Sequence, residues 1–266
     1  ARKEGRGRSL VVMATGLGKT WLAAFDLAAV AAELGRFPRV LFLAHRAEIL
    51  EQAADTFGVL AERRGFDPRV SWYAGDGGDL DGDLVFASVQ KLSRADGLAR
   101  LTAQRFDYAV VDEVHHAAAA SYRRILDRLD ARFVLGLTAT PDRADAADVR
   151  GLFDDHVAYE AGLAEGIEEG LLAPFSYFGL RDTVDYEDIP WRNARFDPES
   201  LATAAATEAR MDRLWQAWNE HPGTRTLVFC CSVAHSRFVG EWLSAKGLRV
   251  RAVTAESDDA SRSGAR

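Results

Sequence analysis

Cysteine and long apolar runs are scarce in this chain of 266 residues. The only two cysteines, Cys230 and Cys231, are adjacent. Neighbours on a strand point to opposite faces, so a disulfide between them is implausible and buried free thiols are predicted. No Cys/His spacing suggests zinc, and no apolar run approaches the ~20 residues that span a bilayer. The apolar stretch after the basic N-terminus is too short for a signal peptide, and together these absences predict a cytoplasmic protein with no membrane partner.

An excess of positive charge is also missing. The chain has 33 Lys and Arg against 40 Asp and Glu, a net charge of −7. This balance argues against a histone-like basic protein, but a local basic groove for nucleic acid remains compatible with it. Only four of the cations are lysines, so each lysine in a motif is informative. Apolar content of 48% is typical of a globular protein.

Apolar runs alternate with helical patterns through the first half of the chain. This alternation predicts an α/β fold, a parallel sheet with helices on both faces, and ligand binding at the carboxyl ends of the strands. The predicted strands are Ser9–Ala14, Val40–Ala44, Val70–Ala74, Leu84–Ser88, Tyr108–Val111 and Phe133–Thr138. The predicted helices between them are Thr20–Leu34, Ala47–Arg64 and Ser121–Leu129.

The pattern changes near residue 161, where glycine, acidic and aromatic residues mix without clean periodicity. The elements predicted beyond are a helix through Leu201 and Trp218, a strand Thr224–Cys231, a helix Val233–Lys246 capped by Ser232, and a strand Leu248–Val253. A doubly wound domain needs more than one strand–helix–strand unit. We therefore predict a first domain at 1–160, a connecting segment at 161–222, and the truncated start of a second domain at 223–266.

A glycine-rich octet follows the first predicted strand and reads Met13-Ala14-Thr15-Gly16-Leu17-Gly18-Lys19-Thr20. Gly16 and Gly18 can adopt positive φ and direct N–H groups at phosphate oxygens, next to the positive end of the following helix. Lys19 would then neutralise the β- and γ-phosphates of ATP, and Thr20 would hold Mg²⁺. The strict pattern has glycine at Met13. The alternative is a strand–helix turn without ligand, which Gly-Lys-Thr at such a junction disfavours.

A second motif reads Val110-Val111-Asp112-Glu113-Val114-His115-His116. A buried strand here delivers two adjacent carboxylates to its carboxyl end. Asp112 would contact the Mg²⁺ shared with Thr20, and Glu113 would position and deprotonate an attacking water. Two adjacent acids alone would be read as a solvated turn, but their position after an apolar strand and downstream of Gly-Lys-Thr favours the catalytic interpretation.

With the segment from Gly136 to Arg143, which includes Thr138-Ala139-Thr140-Pro141, these motifs resemble motifs I, II and III of the superfamily 2 DExH helicases. The similarity is closest to the branch of restriction-enzyme ATPase subunits and XPB-type helicases. It implies a RecA-like P-loop domain followed by a partial second RecA-like domain. It also implies that His115 links hydrolysis to nucleic-acid contact, and that Thr138 and Thr140 couple nucleotide state to movement of the strand.

Two weaker stretches resemble the family's nucleic-acid-contacting motifs. His45 and Arg46 open a helix after a strand, where Arg46 and the helix N-terminus could hold a backbone phosphate. Gln90 lies in a similar position after another strand. A solvated helix start explains each stretch about as well as a phosphate contact does.

The resemblance implies a nucleic-acid-dependent ATPase that uses ATP and Mg²⁺ to move along or unwind nucleic acid, DNA rather than RNA. One alternative is a double-strand DNA translocase subunit of a restriction or repair system that does not unwind. Another is a scaffold that binds nucleic acid and uses ATP as a switch. Nuclease or specificity domains outside the chain are compatible with all three. No counterpart of the family's arginine finger precedes Arg266, and such a residue contributes about 10³–10⁵ in rate, so weak or absent turnover is expected from residues 1–266 alone.

Overall fold

A computed structural model describes residues 1–114, 120–139, 146–182, 184–192, 195–221, 223 and 225–254. The chain divides into two compact units, Ala1–Phe175 and Ser176–Arg266. None of the helices in these ranges is both long and apolar enough to cross a bilayer.

The first unit is built on a parallel sheet. Seven strands of its described residues pair in the order β3-β4-β2-β5-β6-β1-β7. The strands are β1 Arg8–Met13, β2 Val40–Ala44, β3 Val70–Tyr73, β4 Leu84–Ser88, β5 Tyr108–Val111, β6 Val134–Thr138 and β7 Val157–Ala161. The helices are α1 Lys19–Leu34, α2 Ala47–Arg63, α3 Val89–Leu92, α4 Ala95–Thr102, α5 Ala120–Leu126, α6 Ala146–Gly151 and α7 Leu163–Glu168. The predicted α/β fold is confirmed, and the six predicted strands agree with the structure to within one residue at each end.

Helices cover both faces of the sheet, because alternate residues of each central strand point to opposite sides. On β5, Tyr108 and Val110 belong to the apolar cluster that contains the buried residues of α1 and α2. Ala109 and Val111 belong to a second cluster, with buried residues of α3, α4 and α5. Both sides of the central strands are therefore dry, which explains their unbroken apolar sequences.

The sequence patterns missed strand β7 and the short helices α3, α4, α6 and α7, and they made one helix too long. Strand β7 was not predicted, because it lies at the edge beside β1 and its residues Ala158 to Glu160 are exposed. The helix predicted at Ser121–Leu129 ends earlier, at Leu126.

The second unit contains helices and one short hairpin among its described residues. These elements are β8 Trp191–Arg192, β9 Arg195–Phe196, α8 Pro198–Ala205, α9 Glu208–Glu220 and α10 Val233–Ala245. The Ser232 side chain accepts a hydrogen bond from the His235 N–H, so the predicted cap of α10 is confirmed. A small apolar cluster joins Met211 of α9 to Val239 and Leu243 of α10.

Four predictions for the second unit are wrong: one helix, two strands and the burial of the two cysteines. The single helix through Leu201 and Trp218 is two helices, α8 and α9, separated at residues 206 and 207. The strands predicted at Thr224–Cys231 and Leu248–Val253 are absent from the described residues 225–231 and 248–253, because neither segment has a paired neighbour there to complete a ladder. Both cysteines are free as predicted, but Cys230 is half-buried and Cys231 is exposed rather than buried.

Candidate nucleotide-binding site

Both strong motifs lie where strands of the sheet end, at their carboxyl ends. The octet leaves the end of β1, the Asp-Glu pair follows β5, and Thr138 ends β6, which lies between those two strands. All these strands are parallel, so their carboxyl ends point the same way. The fold therefore brings together residues that are more than ninety positions apart in sequence (Lys19 to Asp112).

The loop between β1 and α1 has the backbone that the glycines predict. Gly16 and Gly18 have φ of 91° and 83°, in the left-handed region that favours glycine. The Ala14 N–H donates to the Ala161 carbonyl of β7 at 2.9 Å, and the Leu17 N–H donates to the Ala14 carbonyl at 3.2 Å. These bonds fix a tight turn directly before α1.

Apolar packing supports the same loop from below. A Cβ on Gly16 would lie 3.1 Å from Leu172 Cδ2, and a Cβ on Gly166 would lie within 2.8 Å of both Leu172 and Leu17. Leu17 also packs against the apolar cluster under α1. The side chain of Leu17 therefore anchors the loop, while Thr15 and Gly16 remain exposed.

Lys19 is the cation of the site. It is the first residue of the sixteen-residue helix α1, and its ammonium Nζ donates to the Met13 carbonyl at 3.1 Å. No carboxylate within the described chain forms a salt bridge with Lys19. One of its three N–H donors is thus engaged by a neutral carbonyl and none by a carboxylate of the described residues; Thr20 follows Lys19 half-buried on the same turn.

The two carboxylates have different surroundings. Asp112 is 5% exposed, and its Oδ1 accepts the Glu113 N–H at 2.8 Å. Burial raises the pKa of Asp112 to about 6; the Glu113 N–H and the positive charge of Lys19 lower it, and the charge of Glu113 adds to the rise. Glu113 is half-buried and has φ of 52°, unusual for a residue other than glycine.

These residues fit a nucleotide and a divalent cation. A glycine turn with positive φ, an uncompensated ammonium and the N-terminus of a long helix together suit a polyphosphate. A threonine hydroxyl and a buried carboxylate are hard oxygen donors of the kind Mg²⁺ takes alongside phosphate and water oxygens. A cation beside Asp112 would also offset the cost of ionising a buried carboxyl group. No cluster of three His, Cys, Asp or Glu side chains in the described residues forms a metal site of the protein-only kind.

The weaker candidates follow β2 and β4, at the same carboxyl ends of the sheet. Arg46 is the exposed N-cap residue of α2, and the Gln90 Nε2 donates to the His45 carbonyl at 2.6 Å. That bond joins the loop after β2 to helix α3, which directly follows β4. Thr138 is fully buried at the end of β6. His115, His116 and Thr140 lie outside the described residues.

A separate concavity lies at the opposite end of the sheet, where the strands begin. It has a volume of about 620 Å³ and is lined by alternating charges, among them Arg36, Arg132 and Asp107. Arg36 pairs with Asp107 at 2.8 Å, and Arg132 lies 3.8 Å from the same carboxylate. Arg36 and Arg132 are thus paired with a carboxylate of the fold, and none of the motif residues lines this concavity.

A known protein family matches the part of the chain that contains these motifs. The profile of the family "Type III restriction enzyme, res subunit" matches residues 1–143, more than half of the chain. The chain belongs to this family. The resemblance to superfamily 2 helicases and translocases is thereby confirmed.

Curated relatives of this res-subunit family member include helicases and restriction enzymes. It is 30% identical over 268 residues to "Putative mitochondrial ATP-dependent helicase irc3" of Schizosaccharomyces pombe, covering 97% of this chain and 43% of the relative. It is 29% identical over 235 residues to "Type I restriction enzyme EcoAI endonuclease subunit" of Escherichia coli, covering 86% of this chain and 27% of the relative. The chain thus spans less than half the length of these relatives.

A solved structure shares the fold of the res-subunit chain. It is a nuclease-deletion mutant of the Type ISP restriction-modification enzyme LlaGI in complex with a DNA substrate mimic. The TM-score is 0.50 at 14% identity, over 83% of this chain and 22% of that one. At that identity the similarity bears on the fold alone.

Proposed function

We propose that this chain is the motor core of an ATP-dependent DNA helicase or translocase. The observation that carries the proposal is the convergence of Lys19 and the Asp112-Glu113 pair at one sheet edge, close enough for the charge of Lys19 to lower the pKa of Asp112. Family membership and the names of the relatives support the same activity.

The roles of the side chains follow from their positions. Lys19 and the N–H groups of the glycine turn would hold the β- and γ-phosphates of ATP. Thr20 and Asp112 would hold Mg²⁺, which supplies positive charge to the phosphates when bound. Glu113 would accept the proton of the attacking water. His45 and Arg46, in the loop before α2, and Gln90 of α3 would contact the DNA backbone. Thr138, with Thr140 and His115, would couple the two sites.

The first test is nucleotide binding by Lys19→Ala. Loss of the ammonium next to the glycine turn is expected to weaken binding of a fluorescent ATP analogue by tenfold or more, since charge-assisted bonds to phosphate are strong. Lys91→Ala is the matched control, because Lys91 packs over the Tyr73 ring at another site. Equal binding by the wild type and Lys19→Ala would contradict the proposed site.

Two outputs of the motor remain to be separated. Kinship with a type I restriction enzyme subunit favours translocation along double-stranded DNA without unwinding, whereas kinship with irc3 favours a helicase. A strand-displacement assay run beside a triplex-displacement assay on the full-length protein distinguishes them. Displacement of the triplex strand alone would identify a translocase.

The setting of the motor is also part of the proposal. A nuclease or specificity domain outside this chain fits the greater length of the relatives, one of which is named an endonuclease subunit. A cytoplasmic location remains a prediction. ATP used only as a switch is the non-enzymatic alternative, against which the intact pair Asp112 and Glu113 argues.

A further inference from the structure

A buried tyrosine beside the carboxylates has no role in the mechanism above. Tyr122, on α5, is 3% exposed, and its ring belongs to the apolar cluster that contains Val111 and Val114. The hydroxyl of Tyr122 is buried and has no hydrogen-bond partner among the residues that the structure describes. Phenylalanine would fill the same space without burying an unpaired polar group, which lowers stability. Packing therefore accounts for the ring but not for the hydroxyl.

The surroundings of that hydroxyl point toward the site. Burial raises the pKa of Tyr122 well above its usual value, and the charges of Asp112 and Glu113 raise it further. The hydroxyl is therefore within electrostatic reach of both carboxylates and keeps its proton, so it is a permanent donor. Asp112 Oδ1 is already engaged by the Glu113 N–H, which leaves Oδ2 for another donor or a cation.

We propose that Tyr122 is a positioning residue whose hydroxyl donates a hydrogen bond to the Asp112-Glu113 pair when that pair holds the Mg²⁺-nucleotide. The inference rests on the proposed function and deepens it. Without ligand the hydroxyl has no partner in the described part of the chain, and binding supplies one by fixing the carboxylates in one orientation. A donor at this place would set the geometry of the metal-binding carboxylate without touching the nucleotide.

Tyr108 provides a matched control. It is a fully buried tyrosine in the same unit, on β5, but its hydroxyl donates to Asp26 Oδ2 at 2.8 Å. Tyr108 lies in the cluster on the opposite face of the sheet from Tyr122. Removing the two hydroxyls should therefore have opposite effects on the free protein and on binding.

The experiment compares the wild type, Tyr122→Phe and Tyr108→Phe. Unfolding is followed in urea without ligand, and binding of a non-hydrolysable fluorescent ATP analogue is followed as Mg²⁺ is titrated. For Tyr122→Phe we expect unchanged or higher stability and an approximately three- to tenfold rise in the Mg²⁺ needed for half-maximal binding. For Tyr108→Phe we expect lower stability and an unchanged Mg²⁺ requirement.

Each other outcome overturns a defined claim. An unchanged Mg²⁺ requirement in Tyr122→Phe overturns the positioning role while leaving the proposed function intact. A loss of ligand-free stability in Tyr122→Phe shows that the hydroxyl is already paired in the fold, which also overturns it. If the wild type fails to bind the analogue with Mg²⁺, the proposed function fails and the inference fails with it.

Discussion

Side chains of the same type at the site differ in burial and backbone conformation, which the sequence does not show. Asp112 and Glu113 are adjacent acids, yet Asp112 is buried whereas Glu113 is half-buried and has a left-handed backbone. The sequence motif indicated both acids as candidate site residues. It did not predict that Tyr122, ten positions from Asp112, would bury an unpaired hydroxyl near them, because that proximity depends on how α5 packs against β5. A buried tyrosine just after the Asp-Glu motif was the available signal.

The carboxylate of Asp182, in the second unit, is expected to make the stability of the fold depend on pH. Burial opposes ionisation of Asp182, but hydrogen bonds from Tyr186, the Val184 N–H and Arg210, and the charge of Arg210, outweigh it and lower its pKa to about 2. A carboxyl group with a lowered folded-state pKa adds stability above its unfolded value near 3.8, and that stability is lost as the pH falls toward about 2.

We therefore expect Asp182→Asn to lower the unfolding free energy by about 1 kcal/mol at pH 7, after allowance for partial exposure. The difference from the wild type should shrink on acidification from pH 5 to pH 2. Urea unfolding of both proteins at several pH values measures it. A difference that stays constant across this range would show that the ion pair with Arg210 does not stabilise the fold.

Among the elements, the central strands were the most predictable and the edges the least. Strands β2, β4 and β5 were predicted to the residue, because strands buried on both faces have unbroken apolar sequences. Strand β7 was not predicted because it lies at the edge of the sheet and three consecutive residues, Ala158 to Glu160, are exposed. The strand predicted at Thr224–Cys231 was wrong because pairing needs a neighbour that sequence pattern alone does not supply. Leu227 and Phe229 are 84% and 93% exposed in that segment, so apolar sequence without a partner strand leaves side chains in water.

Strand β6 depends on a glycine for its packing. A Cβ on Gly136 would lie 2.5 Å from the ring of Phe153, which is fully buried. We expect Gly136→Ala to lower the unfolding free energy by about 1–3 kcal/mol, because the ring has no free space to move into. Gly58→Ala is the control, since Gly58 lies in the exposed face of α2 with nothing within 4 Å. That change should raise stability by about 0.5–1 kcal/mol, and urea unfolding that finds equal effects for the two would refute the packing account.

For the molecule as a whole, topology is what makes the site. The strand order places β6 between β1 and β5. The glycine loop, Thr138 and the two acids therefore lie at neighbouring carboxyl ends, although they are far apart in sequence. The sequence was enough to predict on which side of the sheet the site lies, since ligands bind at the carboxyl ends of parallel strands. The strand order itself, the packing of Leu172 under Gly16 and the bond from Gln90 to the His45 carbonyl required the structure.

The central claim is that Glu113 activates water in an ATP-driven motor. The most direct measurement is the rate of ATP hydrolysis by the full-length protein with and without double-stranded DNA, for the wild type and Glu113→Gln. We expect the change to lower the DNA-stimulated rate by about 10²-fold or more, as removal of a general base does, while binding of the fluorescent ATP analogue persists. Turnover by Glu113→Gln equal to that of the wild type would contradict the motor assignment.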